Sequence, residues 1–351
     1  MSISLSDFAK EMASAIGEND DRQSVQYWLD TGYAPLNEII SGSADRGVPY
    51  GRIIEIFGPP SCGKSVLATK LMIEAQKAGG VAIFMDHERT FDVSLAKSIG
   101  MSDQFPYWIY KRPKTWEESN NLAMKAAEVI RSKKAIPENA PIVVVFDSVA
   151  AMVPQSVFVK GIDEYNMNDT TALSRVASTT LKSINAFTAD FNVTTIYLNQ
   201  VRTKPGLSYG DPTCTPGGVA FEFFASIRMA LSRAKVVEKQ ADGSKEFTGQ
   251  LITIEAKKTK LTRPFRKVQV RLMFDEKGMA YFDITGSLLD YAVENDVLPT
   301  AGAWIVWSDG KKYQRKALID KINSEGLQGE LKATVHKAMT LKTTVAEESP
   351  T

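Results

Sequence analysis

Residues 58–65 read Gly-Pro-Pro-Ser-Cys-Gly-Lys-Ser, the pattern of a phosphate-binding loop. Each type has a chemical reason. Gly58 and Gly63 let the backbone wrap closely, so that its N–H groups point at phosphate oxygens. Lys64 supplies a positive charge to the β- and γ-phosphates, and the Ser65 hydroxyl is a ligand for Mg²⁺. The pattern counts only between a strand and a helix, and the apolar run 53–57 and the periodic segment 66–73 meet that condition. Pro59, Pro60, Ser61 and Cys62 complete the loop, so all eight residues are candidate nucleotide contacts. Cys62 puts a thiol beside the phosphates, which predicts that alkylation disturbs nucleotide binding.

Three further apolar runs end in polar side chains. Residues 81–85 lead into Asp86-His87-Glu88-Arg89-Thr90-Phe91-Asp92, residues 141–146 into Asp147-Ser148, and residues 194–198 into Asn199-Gln200. In open α/β sheets, chemistry gathers at the carboxyl ends of strands. A P-loop hydrolase needs a carboxylate to orient or deprotonate the attacking water, and Glu88 is the candidate. His87 reads as a loop side chain. Asp147 has the form of a Walker B aspartate, which steadies the water shell of Mg²⁺. Residues 202–218 hold too much Gly and Pro for a regular element and are long for an idle loop. The basic run 257–267 fits either a solvated hairpin tip or a phosphate contact.

Strands alternating with helices must hold these residues, which predicts an α/β chain with a mostly parallel twisted sheet. An amphipathic helix is expected over 115–134, with Trp116, Leu122, Ala123, Ala126, Val129 and Ile130 on its apolar side. Further strands are expected at 251–256 and 268–274. The organisation read from these patterns is an N-terminal helical arm (1–27), a core (28–278), a small α+β C-terminal domain (279–342) and a frayed tail (343–351). The 351 residues suit this plan. A hydrophobic content of 44% and a charged content of 24% are ordinary for a globular protein. A net charge of +1 argues against a wholly basic nucleic-acid binder and leaves room for a local basic surface. The apolar stretches stop well short of the ~20 residues of a membrane span. With no leader-like N-terminus and only Cys62 and Cys214, a cytoplasmic protein without membrane contact is expected. No Cys/His cluster has metal-ligand spacing.

The segments GRIIEIFGPPSCGKS, FMDHERTFD, VVVFDSVAAMVP, LNQVRTKPGLSYGDPTCTPGG and GAW follow one another in an order and spacing that resemble the RecA family of DNA strand-exchange recombinases. The similarity runs over nearly the whole chain. It implies a RecA-type core that hydrolyses ATP with Mg²⁺ in a DNA-dependent way. It implies a helical filament on single-stranded DNA, and pairing with homologous duplex DNA in recombination and repair. By the same resemblance, Lys64, Glu88 and Gln200 form the catalytic set, Gln200 sensing the γ-phosphate. Ser65 and Asp147 hold Mg²⁺, and Asp92 meets the adenine amino group; with Leu95 where the family often has an aromatic near the adenine, Phe274 is the remaining candidate to stack on the base. Lys258 and Lys260 match a lysine pair that reaches ATP across the filament interface. Residues 201–215 look like the second DNA-binding loop, with Arg202, Lys204, Leu207 and Tyr209 as contacts. Gly217 and Gly218 match residues that approach the DNA backbone. The first DNA loop falls near 160–169, with Met167 or Tyr165 on the bases and Arg175 just after it. The N-terminal helix resembles a segment that docks on the neighbouring protomer.

The chain departs from the family pattern in places. Leu95 stands where an aromatic residue is common, Glu222 where lysine is usual near the interface, and Cys62 where serine is usual. A ring-forming helicase motor and a non-catalytic DNA-binding protein are competing readings of the same core. The Lys258/Lys260 pair and the GAW region favour the filament, and Glu88 argues against a loss of catalysis.

Overall fold

The computed structural model describes residues 4–16, 24–203, 213–239, 245–275 and 278–348. Among them, nine strands form one sheet: β1 Arg52–Gly58, β2 Val81–Asp86, β3 Trp108–Lys111, β4 Ile142–Asp147, β5 Val193–Gln200, β6 Ile227–Lys239, β7 Lys245–Thr259, β8 Lys267–Phe274 and β9 Ala280–Asp283. Their order across the sheet is β9-β8-β7-β6-β1-β5-β4-β2-β3. From β6 to β3 every neighbouring pair is parallel, and from β6 to β9 every pair is antiparallel. The expected α/β architecture is therefore present, with an antiparallel extension on one side.

The parallel strands are apolar on both faces because both are covered. Every residue of β2 and β4 is buried. On one face, Leu67, Ala68, Leu71 and Met72 of the helix Lys64–Lys77 join Ile54, Ile56 and Phe84 in one buried cluster. On the other, the helices Trp116–Ser132 and Ala172–Asp190 cover Ile53, Ile83, Val144 and Tyr197. Thr115 caps the first of these helices by accepting the Glu118 N–H at 3.2 Å, and Glu117 and Glu118 in its first turn suit the positive end of its dipole. Trp116 is fully buried, donates Nε1–H to Thr180 Oγ1 at 2.9 Å and stacks on Tyr197 with centroids 5.7 Å apart. The expected apolar side of this helix needs one correction. Residues 116, 123, 127 and 130 trace the buried stripe, whereas Val129 lies off that stripe and is 51% exposed.

The C-terminal part adds the helices Ile284–Glu294, Arg315–Ser324 and Gln328–Glu348 and a small sheet of Thr300–Ala301, Trp304–Val306 and Lys312–Tyr313. β9 belongs to the large sheet, so the core sheet runs to Asp283 rather than ending at 278. Residues 343–348 continue a helix instead of fraying. Leu289, Trp307, Leu318, Leu331 and Val335 join the same buried cluster as the helix Lys64–Lys77. At the N-terminus, the helix Leu5–Ile16 leaves Leu5, Phe8 and Met12 exposed. No helix among the described residues is long and apolar enough to cross a membrane.

Trp116→Ala should lower folding stability by about 3–5 kcal/mol, chiefly through the cavity it leaves, whereas Val129→Lys should change it by less than about 0.5 kcal/mol. Chemical denaturation midpoints check both; equal effects would contradict the packing described.

Candidate functional site

The phosphate loop joins the carboxyl end of β1 to the helix Lys64–Lys77. Gly63 sits just before that helix in the left-handed region, at φ +84°, a conformation that costs a glycine little. The free N–H groups of the first helical turn therefore face the loop's interior. Lys64 Nζ folds back over the loop, donating to Gly58 O at 3.1 Å and Pro59 O at 2.8 Å. Arg233 Nη1 on β6 steadies the loop from outside by donating to Ser61 O at 3.0 Å. The Cys62 side chain turns inward: it is fully buried among the core residues, and burial pushes its thiol pKa up. Its Sγ nevertheless lies 3.9 Å from Lys64 Nζ, so the thiol sits beside the phosphate lysine as expected, while its burial stands against the expected access to alkylating reagents.

Asp147 ends β4 beside this loop, opposite Asp86 at the end of β2. Ser65 Oγ donates to Asp147 Oδ2 at 2.7 Å. Burial pushes the Asp147 carboxyl up to about 6, the Ser65 hydrogen bond opposing that rise and the charge of Glu88 adding to it. A buried carboxylate and a hydroxyl are hard oxygen donors of the kind Mg²⁺ takes, and they lie at the mouth of a loop built for phosphate. The residues present fit a magnesium–nucleotide complex. The Asp147–Ser148 peptide is cis.

Glu88 follows Asp86 on a short, tightly tethered loop. His87 and Glu88 donate their N–H groups to Asp147 O at 2.7 and 3.1 Å. Asp86, almost wholly buried, accepts the Arg89 N–H at 2.6 Å and the Tyr110 hydroxyl at 2.7 Å. Glu88 Oε1 accepts from Ser148 Oγ and from Gln200 Nε2, the latter at 3.5 Å. Lys64, Ser65, Asp147, Glu88 and Gln200 are thereby brought to one edge of the sheet. His87 is half-buried with no partner for Nε2, and desolvation lowers its pKa to about 4. The tethers Asp86, Tyr110 and Ser148 had no reading of their own in the sequence; a lone polar group closing an apolar strand was the available signal.

Other candidates lie apart from this group. Asp92 uses Oδ1 to cap the helix Val93–Ser98, accepting from Ser94 and Leu95 N–H at 2.8 and 3.1 Å. Phe274 ends β8 and packs on Phe247 with centroids 5.6 Å apart. Lys258 rests its ammonium group on Glu222 O and on Phe223 O (3.2 Å), and Lys260 reaches Phe223 O at 3.3 Å.

Of the candidate DNA contacts, Met167 is 89% exposed. Arg175 braces the first loop, donating to Thr171 Oγ1 and Asn168 O, both at 2.9 Å. Arg202 is exposed in a two-residue ladder with residues 213–214, which closes the base of the second loop. Gly217 and Gly218 both have positive φ, +89° and +72°, and a side chain at Gly217 would strike the Phe221 ring. Lys204, Leu207 and Tyr209 lie outside the described residues.

Because the folded-state Asp147 carboxyl keeps its proton up to about pH 6, against an ordinary value of 3.8, ligand-free protein should lose stability as pH rises through that interval, by up to about 3 kcal/mol. Asp147→Asn should remove this slope in pH-dependent denaturation; an identical slope in the variant would refute the assignment. Maleimide should label Cys214 of the native protein and spare Cys62, as peptide mass mapping would show; prompt labelling of Cys62 would contradict its burial.

A profile of the RecA N-terminal domain matches residues 3–280. The chain is 36% identical over 282 residues to the protein named RecA of Treponema denticola, covering 80% of this chain and 63% of that protein. It is 34% identical over 304 residues to the protein named RecA of Treponema pallidum, covering 87% and 69%, and 35% identical over 297 residues to that of Chlamydia muridarum, covering 84% and 77%. The matched stretch is thus less than two thirds of the first relative's length and more of the other two. A profile that spans the phosphate loop, the strand-end carboxylates and the antiparallel extension as one unit leaves a single assignment: the chain belongs to the RecA family.

Proposed function

We propose that the chain is an ATP-dependent DNA recombinase, which forms filaments on single-stranded DNA and pairs it with homologous duplex. The observation that carries this reading is the sharing of one Glu88 oxygen between Ser148, beside Asp147, and Gln200, which opens the second loop. A carboxylate placed to handle water is thereby tied to a residue placed to move a DNA-binding segment.

In this reading the loop amides and Lys64 hold the triphosphate, and Glu88 orients and deprotonates the attacking water. When bound, Mg²⁺ offsets negative charge on the β- and γ-phosphate oxygens, with Ser65 and Asp147 as its protein-side groups. Gln200 reports the γ-phosphate to residues 201–215, an order–disorder switch. Gly217 and Gly218 leave room for a DNA backbone to approach, which reads no sequence, as exchange between arbitrary homologous strands requires. Lys258 and Lys260, clear of their own chain's phosphate loop, complete the site of a neighbouring protomer, and Leu5, Phe8 and Met12 supply an apolar docking face. Asp92 and Phe274 receive the base.

ATP hydrolysis measured with and without single-stranded DNA, over a salt series, tests this. Wild type should be stimulated by DNA, less so at high salt. Lys64→Ala should abolish turnover. Glu88→Gln should bind nucleotide normally and turn over at least about 100-fold more slowly. Gln200→Ala should lower basal turnover and lose what DNA stimulation adds to it. A wild-type rate indifferent to DNA would sink the reading.

A further inference from the structure

Glu55 is a charged residue at the centre of β1, in the run Ile-Ile-Glu-Ile-Phe, and its side chain is 0% exposed. A carboxylate so placed costs several kcal/mol unless its hydration is replaced. Both oxygens are occupied. Oε1 accepts from Asn199 Nδ2 on β5 at 2.9 Å, and Oε2 from Arg228 Nε on β6 at 2.6 Å. Glu55 thus bridges the strands on either side of the phosphate-loop strand.

Each partner continues outward. The same Asn199 amide donates to Pro216 O at 2.9 Å, at the foot of the second loop, and Asn199 immediately precedes Gln200. Arg228 lies over the Phe57 ring at 4.8 Å and reaches Glu222 at 3.5 Å. The Glu222 and Phe223 carbonyls hold Lys258 and Lys260. A continuous polar chain therefore runs from Gln200 and Pro216, through a buried carboxylate, to the lysine face.

We propose that Glu55 is a positioning residue that couples the second loop and the Gln200 strand end to the Lys258/Lys260 face. A buried ion pair adds little net stability over an apolar replacement, so its use here lies in fixing two groups relative to one another. Displacement of Pro216 or Asn199 loads Glu55 and, through Arg228, the segment that seats the lysines. The same coupling operates in the reverse direction. This inference rests on the roles given to Gln200 and the lysine pair under the proposed function.

Glu55→Gln keeps an acceptor for Asn199 and removes the negative charge that Arg228 pairs with. The nucleotide KM of basal hydrolysis should stay within about twofold, while DNA-stimulated kcat falls at least about tenfold. Adding Arg228→Met removes the stranded cation. The double variant should recover folding stability, because a neutral pair replaces an unpaired charge, without recovering stimulation. Recovery of both together would reduce the pair to a structural filler and overturn the proposal, as would full stimulation in a folded Glu55→Gln. Hydrogen exchange on wild-type protein, with ADP and with a non-hydrolysable ATP analogue but no DNA, supplies an arm that needs no variant to fold. Residues 213–219 and 258–260 should change protection together between the two nucleotides; a change in one segment alone would also overturn the proposal. A wild-type enzyme that ignores DNA would fail the functional reading, whereas the exchange arm would still decide the coupling.

Discussion

Taking a carboxylate out of water is costly unless other groups replace the water. This chain does so three times in one sheet, at Glu55, Asp86 and Asp147. The first two are answered within the protein. Glu55 has an arginine and an amide; Asp86 has a tyrosine hydroxyl and backbone N–H groups. Asp147 has the Ser65 hydroxyl, and burial still pushes its carboxyl above the ordinary value, the charges of Glu88 and Asp86 adding to the rise. The difference separates framework from site. Glu55 and Asp86 hold strands and loops in place, whereas Asp147 is left in need of a cation, beside a loop that attracts the anion such a cation accompanies.

The parallel sheet makes this arrangement economical. Because β1, β2, β4 and β5 run in one direction, Gly58, Asp86, Asp147 and Gln200 arrive at one edge without further devices. Loops from that edge then inherit their positions from buried strands. The antiparallel extension β6–β9 serves another purpose: Arg228 pairs with Glu55 at mid-strand, and Lys258 and Lys260 follow toward the amino end of β1, away from the edge that holds the phosphate loop.

Much of this was legible in the sequence, because apolar runs closing on Asp86, Asp147 and Gln200 announce buried parallel strands and their functional ends. The strand β6 was not, since Arg, Met, Ala, Leu and Lys in Ile-Arg-Met-Ala-Leu-Ser-Arg-Ala-Lys favour helix although Ile227, Met229 and Leu231 alternate; its pairing with β1 decides the outcome. The helix Ala172–Asp190 was obscured by its serines and threonines, several of which bond to carbonyls one turn back. The direction of the Cys62 thiol depends on the curvature of the loop, which its spacing does not encode. The Glu55–Asn199–Arg228 chain joins residues up to 173 positions apart and becomes visible only with the register of three strands.

Burial pushes the Asp147 carboxyl up to about 6, so near that pH about half of the ligand-free protein should carry a proton there, which a cation–phosphate ligand should displace. Calorimetric titration with preformed magnesium–nucleotide at pH 6, in two buffers of different ionisation enthalpy, measures that exchange directly. The account predicts a net proton release by wild type that is absent in Asp147→Asn and fades in wild type at pH 8. Equal proton release by wild type and Asp147→Asn at pH 6 would contradict it.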